Sequence, residues 1–320
     1  MPSTGEHRVP REAVHNRWDK TLQPAVAIRS GDVVHVQTQE VSGGQISPGA
    51  PAEAVSGLDT TRTYPLAGPI LVEGAAPGDV LEVEMLELRP GRWGWTAIIP
   101  GRGLLGDEFE RPYIRHFVLD PPSPVDFGSG VSIPMAPFCG TIGVAPERPG
   151  PLSVRPPHEG GGNVDDRRLI EGSKLYLPVL VDGALLSIGD CHAVQGDGEV
   201  CVTGLECDMS VSIRVSLLKG RPMAPWTYHV VTPAPPEAGG VQVCTAASGP
   251  DLMEDARTAV RELIAWLGRR HGMSREDAYV LCSLAADLRI AQVVNGPNWT
   301  VSACLPQSLF SITSAGSGAW

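Results

Sequence analysis

The chain has 320 residues, 42% hydrophobic and 19% charged, the balance of a soluble globular protein with material for one large or two ordinary domains. Its 36 acidic against 25 basic residues give a net charge of −11, and no Lys/Arg cluster offers a stripe for phosphates, which argues against a nucleic-acid partner. No apolar run is long enough to span a bilayer, and the first residues lack the apolar core of a signal peptide, so the expectation is a cytoplasmic protein with no membrane partner.

The 30 prolines and 37 glycines are spread along the chain, as expected of short strands joined by turns. His15-Asn-Arg-Trp-Asp19 comes first, a His and an Asp four apart in a segment without periodicity. It reads either as a pair of ligands or as an ordinary surface loop. Val26–Arg29, a Ser30-Gly31-Asp32 turn and Val33–Glu40 predict a hairpin. Pro69–Glu73, a Pro77-Gly78-Asp79 turn and Val80–Leu88 repeat that pattern, with acidic residues intruding along one face of the last strand. Residues 89–115 and 146–166 read as loops.

Lys174–Val181 and Ala184–Ile188 predict two apolar strands joined by Asp182-Gly183, and Val211–Leu217 alternates as a half-buried strand. Helices appear only late. Asp251 opens one with apolar spacings of three and four that ends at Gly272, and Ser274 caps a second over about Arg275–Asp287. A strand through Ile290–Val294 follows. The fold class is therefore α+β and predominantly β. A sandwich- or barrel-like half at 1–130 precedes a half of mixed strands and two helices at 131–320, the two expected to form one compact unit.

Chemistry concentrates where the Ala184–Ile188 strand runs out, in Asp190-Cys-His192-Ala-Val-Gln195-Gly-Asp197-Gly-Glu199. Period-two alternation puts Asp190 and His192 on one face, and carboxylates desolvated together need a cation or a proton. The alternatives are a turn-capping Asp and a hydrogen-bonded core His. Cys191 points to the opposite face from His192 and reads as structural. The seven cysteines include no Cys-x-x-Cys pair and fit reduced thiols. Glu206, after Val200–Leu205, reads as a general base or a solvent-facing residue. His158-Glu-Gly-Gly-Gly-Asn163-Val-Asp165 reads as a close backbone approach to a ligand or as a flexible loop. No Gly-x-Ser-x-Gly elbow or phosphate loop is present.

From His15 to Leu309 the chain resembles the acetamidase/formamidase family. The resemblance is carried by His15–Asp19, Ser42-Gly-Gly-Gln45-Ile, Gly68–Asp79, Gly161-Gly-Asn-Val-Asp165, Leu175–Val179, Gly189–Glu199 and Thr203-Gly-Leu-Glu206. It implies hydrolysis of a short, neutral aliphatic amide, a β-rich fold, a homo-oligomer, and a bound divalent metal, zinc with calcium as a further candidate. On that reading His15, Asp165, Asp190 and His192, or a subset of them, hold the metal, whose bound water attacks the amide. Gln195 steadies the oxyanion, Glu199 or Glu206 carries the proton, and Asn163 and Gln45 contact the substrate. Val164 and Cys191 depart from the family pattern, which points to an altered pocket and to a larger amide or carbamate as the alternative substrate. A metal-binding β-protein without turnover is the alternative of another class.

Overall fold

The computed structural model describes residues 5–233 and 240–310. Its frame is a pair of long antiparallel strands, Val80–Ile98 and Glu206–Leu218, in register from Leu81 opposite Leu217 to Trp95 opposite Glu206. Alternation explains both sequences. Leu81, Val83, Met85 and, across from them, Val211, Ile213 and Val215 point into the core. Glu82 and Glu84 face outward, where Lys174 and the Tyr176 hydroxyl bind Glu82 and Arg214 binds Glu84.

The first of these strands runs ten residues further than the sequence predicts, through Arg89–Ile98. Proline and glycine there are accommodated by a bulge: Cys207 lies opposite Gly94 while Met209 lies opposite Pro90, so the extra residues between them loop out of register.

Among the described residues sixteen strands make one hydrogen-bonded sheet, and a two-stranded ribbon, Val125–Gly128 with Val131–Ile133, stands apart. The sheet wraps one apolar core in which Val34, Ile70, Val83, Ile188 and Val211 belong to a single cluster. Strand Val80–Ile98 is bonded along its edges to Lys174–Pro178 and Glu206–Leu218.

The three expected hairpins are strands without the expected partners. Val26–Ile28 runs parallel to Leu66–Val72, whereas Val33–Gln37 pairs with Glu6–Val9 and with Glu206–Leu218. Leu66–Val72 in turn pairs with Leu186–His192 and not with Val80–Ile98, and Lys174–Pro178 pairs with Val80–Ile98 and Thr227–Pro233. Each turn carries the chain to a different part of the sheet. An apolar run specifies a strand but not its neighbour.

Helix α1, Leu252–His271, starts where Asp251 accepts the backbone N–H groups of Met253 and Glu254 and ends at Gly272. Its stripe of Ala259, Leu263, Trp266 and Leu267 packs on Val243, Ala303 and Leu305 of two neighbouring strands. Helix α2, Arg275–Ala285, is capped by Ser274 and adds Ala278 and Cys282 to that cluster. Cys244 and Cys304 face one another across the strands beneath α1 and are disulfide-bonded, which corrects the expectation of seven free thiols. No described helix is long and apolar enough to cross a membrane.

Candidate active site

His192 closes the fully buried strand Leu186–His192 and stands opposite Glu206 in the neighbouring strand. Its Nδ1–H donates to Gln195 Oε1 at 2.7 Å, and Gln195 Nε2 donates to the Asp165 carbonyl at 2.8 Å. With Nδ1 committed, Nε2 is the atom presented to the site. It lies 3.3 Å from Glu206 Oε2, 3.5 Å from Asp190 Oδ1 and 4.0 Å from Glu199 Oε1. Asp165 completes the set. Two overlapping groups, Asp165/His192/Glu199 and Asp190/His192/Glu206, each bring three ligand atoms within 4.8 Å of one another.

All four carboxylates are at least 94% buried. Their polar supports are few and leave specific gaps. Gly204 N–H donates to Glu206 Oε1 at 3.0 Å, the Thr141 hydroxyl donates to Asp190 Oδ2 at 3.2 Å, and Asn295 donates to Asp165 Oδ2. Asp165 Oδ1 and Glu206 Oε2 are buried with no hydrogen-bond partner. Orphaned carboxylate oxygens beside an imidazole nitrogen suit a divalent cation, which would satisfy both at once.

The electrostatics follow from desolvation. Burial, reinforced by the charge of Asp190, pushes Asp165 up to about 7. Burial likewise lifts Glu206 to about 7, and burial with the Asp165 charge holds Glu199 well above the usual carboxylate range. Burial alone would drag His192 down, but the charges of Glu206 and Asp190, 3.3 and 3.5 Å from Nε2, outweigh it and raise its pKa well above the ordinary value.

The backbone around the cluster is strained toward it. Tyr64, Asp165, Asp190, Glu199 and Val202, none of them glycine, all have positive φ and all line one cavity of about 400 Å³. The ring of His192 is held between Phe138, edge-on at 5.2 Å, and two glycines. A Cβ on Gly204 would lie 2.5 Å from His192 Nδ1, and one on Gly140 would strike the Asp165 carboxylate. Only glycine fits at either place.

A sequence profile described as the Acetamidase/Formamidase family matches residues 4–153 and 152–312. The chain belongs to the acetamidase/formamidase family. An acetamidase of Bacillus halodurans is 33% identical and superposes with a TM-score of 0.85 over 95% of this chain and 98% of its own. A predicted acetamidase/formamidase of Thermoanaerobacter tengcongensis is 32% identical with a TM-score of 0.86, covering 96% and 97%. A putative formamidase of Schizosaccharomyces pombe is 31% identical over 271 residues, 64% of each chain, so this chain spans under two thirds of that relative's length.

Among the residues expected to act, the structure gathers Asn163, Asp165, Asp190, Glu199 and Glu206 on this cavity, and His192 lies within ligand distance of its carboxylates. Asn163 is committed to structure, accepting from Thr141 and donating to the Arg155 carbonyl at 2.8 Å. Three others stand elsewhere. His15 donates from Nδ1 to the Arg17 carbonyl at 2.7 Å and accepts at Nε2 from Ser187 at 2.9 Å, so no ring nitrogen is left for a metal; burial lowers its pKa to about 4 and keeps it neutral. Gln195 sits behind His192 and is not among the residues that line the cavity. Gln45 pins the loop at Asp59 through both ends of its amide.

Asp197 faces away and binds Arg168 and Arg289. Cys191 packs against Cys139, Sγ to Sγ 3.8 Å, and Val164 is in the core; neither residue lines the cavity, which corrects the expectation that they reshape it. Tyr64, Trp95, Arg102, Arg155 and Asn295, which no motif flagged, do line it.

Proposed function

We propose that this chain hydrolyses the C–N bond of a small aliphatic amide, of the formamide or acetamide type, to a carboxylate and ammonia, using a divalent cation held by His192, Asp165, Asp190 and Glu206. The observation that carries the reading is His192 Nε2 set against buried carboxylates of which Asp165 Oδ1 and Glu206 Oε2 have no hydrogen-bond partner. Zinc is the first candidate because it accepts mixed imidazole and carboxylate ligands; calcium is the second, favoured by oxygen-rich sets. The cation supplies positive charge that offsets the carboxylates and makes water more acidic.

The chain's own groups then have distinct tasks. Gln195 fixes the tautomer and direction of His192. Glu199, which lies 4.0 Å from His192 Nε2 and would stand outside the cation's ligands, takes up the proton that water releases as its oxygen bonds to the carbonyl carbon. That proton passes to the nitrogen as the C–N bond breaks, and ammonia leaves. Tyr64 is kept un-ionised by burial and by the charges of Asp190, Glu199 and Asp165, so its hydroxyl is a donor available to the carbonyl oxygen.

Ammonia release from formamide and acetamide tests the reading, measured before and after chelation and in Glu199→Gln and His192→Ala. Activity should fall by at least about a hundredfold in each case, the scale on which acid–base catalysis contributes. Undiminished turnover after all three changes would overturn it. Metal bound in stoichiometric amount with no amide turned over would instead favour a binding protein.

A further inference from the structure

The cavity beside His192 is larger than acetamide needs; about 400 Å³ is in the range that holds ligands of drug size. Its composition is layered. Buried carboxylates make the floor, and Val41, Val55, Leu58 and Ile99 supply an apolar wall. Arg102 and Arg155, both half-buried and therefore nearer solvent than the carboxylates, line the same space.

These two arginines are an unexplained expense. Neither guanidinium has an ion-pair partner among the described residues, and the carboxylates of the floor pair with His192 rather than with either of them. They also disfavour one another: burial first, and then the charge of Arg155, lowers the pKa of Arg102. Two like charges in one partly enclosed cavity, neither paired with a carboxylate, are tolerated where an anion completes the site, and a guanidinium pair suits a carboxylate. Were they there only to balance the floor, they would contact it.

Resting on the amidase reading above, we propose that Arg102 and Arg155 form an anion-binding rim and that the preferred substrate is an amide carrying a carboxylate at its far end, separated by an aliphatic spacer that lies along the apolar wall. The amide group reaches the His192 cluster while the carboxylate stays at the arginines. The product is then a dicarboxylate and ammonia. The chain's net charge of −11 makes it repel such a substrate at long range, so the rim is what admits it.

The test compares ω-amido carboxylates of increasing length, beginning with succinamate, with their uncharged methyl esters as substrates for ammonia release. The wild-type protein should favour the anionic member at its best length by about tenfold or more in kcat/KM, one well-placed charge-assisted contact being of that order. In Arg102→Gln, Arg155→Gln and the double variant that ratio should collapse toward one. Equal or better use of the esters by the wild type overturns the proposal, as does a ratio that survives the double variant.

Arg155→Lys keeps a charge and should restore part of the ratio if Arg155→Gln folds poorly. Titration calorimetry with succinate gives a readout free of turnover: binding to the wild type that is lost in the double variant supports the rim, and no binding to the wild type overturns it. Turnover of acetamide without any preference for the charged series would sink the rim and leave the amidase reading standing. Succinate binding without turnover of any amide would do the reverse.

Discussion

His192 Nδ1–H donates to Gln195 Oε1 at 2.7 Å, and everything else in the site is arranged around the nitrogen that this bond leaves free. Gln195 is itself held, through its Nε2, by the Asp165 carbonyl, so the residue that orients the imidazole is tied to the backbone of one of the carboxylates facing it. Gln195→Leu removes the acceptor and lets the ring turn. Activity should drop by about 10- to 100-fold, the usual cost of losing an outer partner of a ligating histidine. Circular dichroism should be unchanged, and Gln195→Glu, which keeps an acceptor, should retain more activity than the leucine variant.

Gly204→Ala tests the cradle from the other side. The added methyl would sit 2.5 Å from His192 Nδ1, where the ring is also blocked by Phe138. Overpacking of this kind costs about 1–3 kcal/mol, read as a lowered midpoint in urea, together with a loss of activity larger than the loss of stability explains. Unaltered kinetics would show that the ring has room to move.

The carboxyls give a pH dependence of defined sign. Asp165 and Glu206 are raised to about 7 by burial, against ordinary values near 4, so the folded metal-free protein holds protons that the unfolded chain has released. Their contribution to stability is fully present below about pH 4 and is lost as pH rises through 7. Metal-free protein should therefore melt at a lower temperature at pH 8 than at pH 5.5, and a bound divalent cation should abolish that difference. A melting temperature that rises over this interval contradicts the assignment.

Leu263→Ala separates scaffold from site. The side chain is fully buried between α1 and the strands carrying Val243 and Leu305, remote from the cavity-lining residues. Thermal or urea unfolding should report a loss of about 2–5 kcal/mol, with KM for amide unchanged at temperatures where the variant is folded.

Much of this was legible in the chain, for physical reasons that also mark where legibility ended. Asp251, Ser274 and the three-and-four spacing of Ala259, Leu263, Trp266 and Leu267 are local signals, and both helices stand where they point. Strands Val33–Gln37 and Leu66–Val72 were equally visible, but their partners were not, because pairing depends on contacts far away in sequence. Asp190, His192 and Glu199 stood out by being close together. Tyr64 and Asn295 carried no such signal: they reach the same cavity from segments that only the fold brings together. His15 illustrates the converse, a conspicuous spacing whose ring nitrogens are spent on a backbone carbonyl and a serine.

The most direct measurement is a metal titration of chelator-stripped protein followed by ammonia release from acetamide or a longer amide. Stripped protein should be inactive, activity should return in proportion to added divalent cation, and His192→Ala should recover neither tight binding nor turnover. Full amide hydrolysis by the stripped protein, with cation content below a few per cent of the chains, would contradict the cation-dependent reading.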